Sequence, residues 1–160
     1  MTIGHFLGGI AALLWTPDNE QYLLLRRTAT RDFQAGAWEC VTGRVDQGEG
    51  YETALQREIF EETGLQARVE FIIGTTHFFR GQVIPENELL GVIYGCSIVG
   101  GTEVRLQEEH SEFRWATSSE AEDLLPESHW LPRVILKADR LRRSLPPDLL
   151  ETFRREGFEI

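Results

Sequence analysis

Three glutamates, Glu58, Glu61 and Glu62, lie three and four residues apart in a segment with helical character. Because an α-helix repeats every 3.6 residues, these spacings place the three carboxylates on one patch of its surface. The same projection puts Ala54 and Leu55 among the acids, so the patch overlaps the side that a helix normally buries. Carboxylates crowded there repel one another and lose hydration, and a hard divalent cation with oxygen ligands relieves both penalties. The pattern predicts a metal-binding catalyst.

The residues around these acids make the prediction more specific. Residues 43–65 follow the pattern G-x5-E-x7-R-E-U-x-E-E-x-G-U, where U is aliphatic, and the fixed positions are Gly43, Glu49, Arg57, Glu58, Ile59, Glu61, Glu62, Gly64 and Leu65. The chain resembles the Nudix hydrolases at every fixed position of their signature. A solvated acidic helix face is the plain alternative. The two glycines and the arginine at matching offsets favour the family.

This resemblance implies an α/β fold, the α/β/α sandwich of the Nudix family with a mixed central sheet. It implies hydrolysis of a phosphoanhydride bond in a nucleoside diphosphate linked to another group. It also implies that Glu61 and Glu62 bind divalent ions, and that Glu58 binds metal or activates the attacking water. Magnesium is the expected ion for an oxygen-only ligand set, with manganese as the alternative.

Local geometry predicts structural roles for other residues of the motif. Gly64 is expected to end the helix in a left-handed conformation. Arg57 lies one turn from Glu61, so its guanidinium is expected to brace that acid or to reach back to Glu49. Gly43 is expected to let the backbone turn tightly enough for its carbonyl to approach a metal.

A further site acid is expected in the segment QEEHSEFRWA, residues 107–116, where many Nudix enzymes place a glutamate near the metals. Glu109 is the first choice, because E-H followed by an aromatic, a basic residue and Trp resembles the dihydroneopterin triphosphate hydrolases. Glu112 is the second choice and Glu108 the third. Such an acid acts as a general base if it reaches the water, and His110 is expected to influence Glu109 if both face the site. A solvated charge run is the alternative.

Arginines and aromatic residues outside the acidic patch are candidate substrate contacts. The predicted phosphate clamps are Arg26, Arg27, Arg44 and Arg80. The aromatic residues predicted to stack on a base or pterin ring are Phe33, Trp38, Phe78 and Phe79. Surface solvation of the arginines and core packing of the aromatics are the alternatives.

Composition narrows the function classes. The 160 residues, 41% of them apolar, suit a single domain over 1–160. No segment approaches the roughly 20 apolar residues of a membrane span, and the apolar start is predicted to be a buried strand rather than a signal peptide.

A net charge of −10 argues against binding to duplex or single-stranded nucleic acid, whereas a small nucleotide neutralised by metal ions is compatible. Cys40 and Cys96 lack metal-site spacing and fit a reducing, cytoplasmic setting. Monomer and homodimer are both compatible.

Apolar periodicity and turn residues predict the elements that must position these groups. The predicted strands cover residues 6–15, 21–27, 67–79 with a break at Gly74, 89–99, 104–107 and 113–116. The first two are expected to form a hairpin. The predicted helices are the motif helix, one capped by Ser118 or Ser119 and ending near Leu125, one from about Ser128 to Leu145, and a short tail after Pro147.

The approach to the motif bears on the substrate. Many Nudix proteins carry P-G-G there, where this chain has Val41, Thr42 and Gly43. W-x-x-V-T-G, starting at Trp38, is closer to the dihydroneopterin and nucleoside triphosphate pyrophosphohydrolases. A triphosphate that releases pyrophosphate is therefore the expected substrate, with ADP-ribose or a dinucleoside polyphosphate as the alternative. Rivals from other classes are a non-catalytic nucleotide sensor, which does not need intact acids, and a prenyl diphosphate isomerase, which needs a cysteine in the pocket.

Overall fold

A mixed seven-stranded sheet forms the centre of the computed structural model, which describes residues 4–16, 18, 21–30 and 34–160. The strands are β1 (Leu7–Thr16), β2 (Gln21–Arg27), β3 (Trp38–Glu39), β4 (Val41–Arg44), β5 (Gln66–Phe79), β6 (Glu88–Val99) and β7 (His110–Ala116). The main path runs β3-β2-β1-β6-β5, with β4 paired to β1 and β7 paired to β2. Strands β1 and β6 are parallel, and the other pairings are antiparallel.

Helices cover both faces of this sheet. In the described ranges they are α1 (Tyr51–Thr63), α2 (Ser118–Leu124), α3 (Trp130–Ser144) and α4 (Pro147–Glu156), with a 3-10 turn at Pro85–Asn87. Alternate residues of β1 enter different cores: Ala11 and Leu13 pack with residues of α3, and Ala12 and Leu14 pack with residues of α1. This two-residue alternation is what a strand buried on both faces requires. The predicted α/β/α sandwich with a mixed sheet is confirmed.

Helix α1 lies against the sheet through an apolar stripe, which contains Ala54, Leu55 and Ile59. Burying a leucine or isoleucine side chain contributes about 1.5–3 kcal/mol, so this stripe fixes the rotation of the helix. Gly64 ends it with φ of 70°, and the N–H of Gly64 donates to the carbonyl of Phe60. The left-handed helix end predicted at Gly64 is confirmed.

Three predicted features of the elements are wrong. Strand β5 is not interrupted at Gly74, because it stays paired with the long strand β6 and absorbs the irregularity as bulges. Residues 104–107 form no strand; instead the N–H of Arg105 donates to the carbonyl of Thr63 at the end of α1. The cap of α2 is Thr117, whose hydroxyl and the carboxylate of Glu120 form a reciprocal capping box.

The other predicted elements are confirmed within the described residues. Strands β1 and β2 form the hairpin, although most of its turn lies outside those residues. Helix α3 begins after His129, whose Nδ1 accepts from the N–H of Leu131, and α4 follows Pro146. Among the described helices, none is both long enough and apolar enough to span a bilayer.

Candidate active site

A cleft of about 990 Å³ lies beside the motif helix. Strands β1, β5 and β6 contribute apolar and aromatic side chains to its wall, while β4, the following loop and α1 contribute charged ones. The acidic residues that line it are Glu39, Asp46, Glu58, Glu62 and Glu109. The basic residues that line it are Arg27, Arg44, Arg57 and Arg80, together with His77. A wall with both charge signs and an apolar side suits a ligand that carries anionic groups and a ring.

Arg57 connects the motif helix to the loop before it. Its Nε and Nη2 donate to the two carboxylate oxygens of Glu49, each at 2.9 Å. Its Nη1 donates to Glu58 at 2.9 Å and to Glu61 at 3.2 Å, and Nη2 also donates to the carbonyl of Arg44 at 3.0 Å. These hydrogen bonds lower the pKa of Glu49 to about 2 and raise the pKa of Arg57. Both orientations predicted for this guanidinium, toward Glu61 and toward Glu49, therefore occur together.

Glu58 lies directly over Gly43, in the space that any larger residue would fill. A Cβ placed on Gly43 would lie 2.1 Å from the carboxylate carbon of Glu58. Gly43 is part of the regular strand β4 and has no positive φ, so the tight turn predicted there is wrong. The position needs glycine because it needs empty space. Burial raises the pKa of Glu58, and the hydrogen bond from Arg57 opposes that rise.

Glu62 is the most constrained acid of the site. Its side chain is buried, and its Oε2 has no hydrogen-bond partner among the described residues. Burial raises the pKa of Glu62 well above its ordinary range, and repulsion from Glu39, Glu58 and Glu109 raises it further. A buried carboxylate oxygen without a donor, surrounded by other acids, is the environment that a divalent cation would satisfy.

The acids of the described residues do not form a complete set of metal ligands. Across the described ranges, no three Asp, Glu, His or Cys side chains converge on one point as a metal site. Arg57 donates to one oxygen each of Glu58 and Glu61, and 57% of the Glu61 side chain is exposed. Glu61 is not among the residues that line the cleft.

Glu39 is a site residue that the sequence reasoning missed. Its Oε1 accepts from Nη1 of Arg27 at 2.8 Å and lies 2.9 Å from Nε2 of His110, while its Oε2 accepts from the hydroxyl of Thr42 at 3.3 Å. The side chains of Arg27 and His110 are buried with it. His110 therefore contacts Glu39. The signal in the sequence is an acid between Trp38 and Cys40, in a stretch that is otherwise apolar.

Of the three acids considered near residue 110, Glu109 lines the cleft and contributes to the raised pKa of Glu62. Glu112 lies on an exposed surface, where it pairs with Arg26 at 3.3 Å and with Arg114 at 3.0 Å. Glu108 is exposed and does not line the cleft. The structure thus separates the first choice from the other two by position, and the role of Glu109 stays a prediction.

The predicted substrate contacts divide in the same way. Those that line the cleft are Arg27, Arg44, Phe78, Phe79 and Arg80. Arg26 and Trp38 are not part of the cleft wall. The guanidinium carbon of Arg26 lies 5.9 Å from the ring centroid of Trp38, and that of Arg114 lies 5.4 Å from the same centroid. Phe33 lies outside the described residues. Trp130, at the start of α3, lines the cleft but stood out in the sequence only as part of a helix.

Comparison with known proteins adds independent findings. A family model described as the NUDIX domain matches residues 6–138. An oxidized purine nucleoside triphosphate hydrolase from Mus musculus is 30% identical over 109 residues, which are 67% of this chain and 68% of that protein. An octanoyltransferase from Myxococcus xanthus is 32% identical over 117 residues, but this chain covers 73% of its own length and only 32% of that protein.

Among solved structures, the MutT protein from Methanosarcina mazei Go1 superimposes with a TM-score of 0.70 at 23% identity. The match covers 90% of this chain and 100% of that structure. At this identity the similarity shows the fold, and it agrees with the sheet order and helix placement described above.

Proposed function

Because this chain belongs to the Nudix family, we propose that it is a pyrophosphohydrolase that cleaves a (deoxy)nucleoside triphosphate or dihydroneopterin triphosphate and releases pyrophosphate. The similarity to a purine nucleoside triphosphate hydrolase supports a triphosphate substrate. The segment W-x-x-V-T-G before the motif supports the same choice.

One observation carries the proposed chemistry. The buried Oε2 of Glu62 lacks a donor and lies among the charges of Glu39, Glu58 and Glu109, at the wall of a cleft that arginines also line. Such a cluster of acids is unfavourable unless a cation joins it or one of the acids takes up a proton. A nucleotide polyphosphate brings divalent ions with it, and the cleft provides the oxygens to hold them.

We propose magnesium as this ion, with manganese as the alternative. The residues that would hold it are Glu58, Glu61 and Glu62, with the carbonyl of Gly43 and the carboxylate of Glu109 as further oxygen ligands. When bound, a divalent ion neutralises charge that develops on phosphate oxygens and lowers the pKa of a bound water.

The remaining chemistry falls to side chains of the cleft. Glu58 accepts the proton of the attacking water, because it is a carboxylate that lines the cleft and can come within hydrogen-bond reach of that water. Arg57 orients that carboxylate through the 2.9 Å hydrogen bond from its Nη1. Glu109 is the second candidate base, since it also lines the cleft. A base must come within hydrogen-bond reach of the water, and the position of both carboxylates in the cleft wall supports these assignments.

Substrate contacts are assigned from the same wall. Arg44 and Arg80 neutralise the phosphates, and Phe79 stacks against the ring of the substrate. Arg27 contributes positive charge from the wall of the cleft, where its guanidinium also donates to Glu39.

Alternatives within the family are ADP-ribose and dinucleoside polyphosphates, which carry the same phosphoanhydride. A prenyl diphosphate isomerase is disfavoured, because Cys40 and Cys96 are fully buried, do not line the cleft, and have raised pKa values caused by that burial. These unpaired thiols support placement in the reducing cytoplasm. A nucleotide sensor remains the rival of another class.

A product-resolved hydrolysis screen tests the proposal. The purified chain is incubated with nucleoside triphosphates, dihydroneopterin triphosphate, ADP-ribose, dinucleoside polyphosphates and coenzyme A, each with magnesium and with EDTA. Pyrophosphate released from a triphosphate only when magnesium is present is the expected result. Cleavage of ADP-ribose or a dinucleotide alone would overturn the substrate assignment and keep the hydrolase. Nucleotide binding without turnover of any compound would favour the sensor.

Gly43→Ala is expected to lower kcat/KM about a hundredfold, because the added methyl group displaces the carboxylate of Glu58 and active sites tolerate shifts of only tenths of an ångström. Steady-state kinetics on the substrate found by the screen measures this. Gly101→Ala is the matched control, since a Cβ there meets open space. Equal activity of the two variants would show that Glu58 does not need its place over Gly43.

A further inference from the structure

Helix α1 lacks a cap from its own sequence. Its N-cap residue, Gly50, has extended backbone and no side chain that could accept a hydrogen bond. Instead, N–H groups of the first turn donate to the carboxylate of Glu159, more than 100 residues later in the sequence. Oε1 of Glu159 accepts from the N–H of Tyr51 at 2.6 Å, and Oε2 accepts from the N–H of Glu52 at 3.3 Å. A carboxylate at this position satisfies both the unpaired donors and the positive end of the helix dipole.

The contact is reciprocal. Oε2 of Glu52 accepts from the backbone N–H groups of Phe158 and Glu159, at 3.0 and 3.1 Å. We refer to Glu52 and the segment Gly157–Glu159 as the tail clamp. Gly157 turns the chain into it with φ of 71° and ψ of −164°, a conformation that suits glycine. Gly50 leaves the space that the clamp fills, because a Cβ there would lie 2.5 Å from Oε2 of Glu159.

The tail is itself fixed to the sheet. Nε of Arg154, on α4, donates to the buried carboxylate of Glu70 on β5 at 2.6 Å, and Glu70 also accepts from the hydroxyl of Ser97. The ring of Phe158 packs against two other rings: its centroid lies 6.2 Å from that of Tyr94 and 5.0 Å from that of Phe153. Glu159 therefore presents its carboxylate from a held segment rather than from a loose end. This segment lies beyond residues 6–138, where the family model matches.

We propose that Glu159 is a positioning residue for the hydrolysis reaction, which acts by fixing the first turn of α1 and thereby the placement of Glu58. Tyr51 and Glu58 are two helical turns apart, about 10 Å at 1.5 Å per residue. Glu58 lies over Gly43 with no free space, so a shift of the helix changes the position of its carboxylate in the cleft. A displacement of this kind lowers the rate of the chemical step more than the affinity for substrate, whose predicted contacts lie mainly outside α1.

The test compares Glu159→Ala with Glu156→Ala. Both variants remove one exposed glutamate near the end of the chain, but Glu156 pairs only with the neighbouring Arg155. In Glu159→Ala, the amide hydrogens of Tyr51 and Glu52 are expected to exchange at least about tenfold faster, because their acceptors are gone. A fall in kcat of about tenfold, with KM within about twofold of the wild type, is expected in the same variant. Glu156→Ala is expected to match the wild type in both measurements.

A rescue variant separates positioning from a general loss of structure. In Gly50→Ser/Glu159→Ala, the serine hydroxyl takes over the N-cap position and accepts from the N–H of the second or third helical residue, so kcat is expected to recover although the N–H of Tyr51 stays without its acceptor. The proposal is overturned if Glu159→Ala keeps the wild-type kcat, if kcat and KM change together, or if the double variant does not recover. The turnover readout rests on the proposed function, whereas amide exchange needs no substrate. Faster exchange in a protein that cleaves nothing would therefore contradict the proposed function and leave the clamp in place.

Discussion

Glu58→Gln is expected to lower kcat about a thousandfold while the protein remains folded, since a positioned general base contributes about 10²–10⁴ to the rate. The glutamine oxygen still accepts from Arg57, so the hydrogen bond at 2.9 Å is kept in weaker form. What disappears is the proposed general base and one of the oxygens proposed to bind the metal. The fold loses little, because burial already disfavours the ionised form of Glu58. Steady-state kinetics and thermal denaturation followed by circular dichroism measure the two effects.

Glu122→Gln is the matched control for this change, because it makes the same substitution at an exposed helical position far from the motif. It is expected to leave both kcat and the melting temperature at wild-type values. A Glu58→Gln enzyme that keeps more than about a tenth of the wild-type kcat would contradict the assignment of the base. Glu109→Gln then becomes the decisive variant, since Glu109 also lines the cleft.

Local sequence determines the motif helix well enough to predict it. The spacing of Glu58, Glu61 and Glu62, the apolar stripe and Gly64 all act within 13 residues of one another, and each agrees with the same helix. Strand β5 shows the opposite case. Gly74 resembles a break when it is considered alone, but it pairs with Ile93 of β6, which is 19 positions away. Contacts of that kind leave no trace in a local pattern.

Glu39, which lines the cleft, could not be predicted from the sequence as a site residue. Its partners Arg27 and His110 are 12 and 71 residues away, so no spacing in the sequence connects them. The bulge in the pairing of β2 with β7 adds a second difficulty. Arg26 pairs with Glu112 and Arg27 pairs with His110, with a register shift between them. His110 is therefore buried and Glu112 partly exposed, although residues two apart in a regular strand lie on one face.

The identity of the chemistry could be predicted more firmly than its geometry. The fixed positions of the motif specify which residue types are present. They do not specify that Arg57 holds Glu49, Glu58 and Glu61 at once, or that Gly43 is needed for space. The first fact depends on the loop before α1, which brings Glu49 within reach of Arg57. The second arises from the packing of α1 on β4, which places Glu58 over Gly43.

Glu62→Gln is expected to have effects of opposite sign on stability and activity. Without metal and at a pH above the raised pKa of Glu62, the substitution removes a buried charge that has no donor at Oε2 and that lies among Glu39, Glu58 and Glu109. We expect the metal-free protein to gain about 1–2 kcal/mol and its melting temperature to rise by about 3–6 °C. The same change removes the oxygen best placed for an ion, so stabilisation by magnesium is expected to disappear and kcat to fall at least about a hundredfold.

The dependence on pH gives a second measurement of the same buried charge. Because the pKa of Glu62 is raised in the folded protein above its ordinary value of 4.5, the folded state holds this proton more tightly than the unfolded state. Its contribution to stability is therefore fully present below about pH 4.5 and is lost as the pH rises through the raised pKa. Melting temperatures in EDTA are expected to decrease with pH over that interval in the wild type and to decrease less in Glu62→Gln.

Glu61→Gln separates metal binding from burial. Glu61 belongs to the same helix and is predicted to bind the same ion, but 57% of its side chain is exposed. It is expected to weaken stabilisation by magnesium without raising the melting temperature of the metal-free protein, because its charge is already hydrated. If Glu62→Gln melts below the wild type in EDTA at pH 8, the buried carboxylate already has a compensating partner. The argument that it requires a cation would then be wrong.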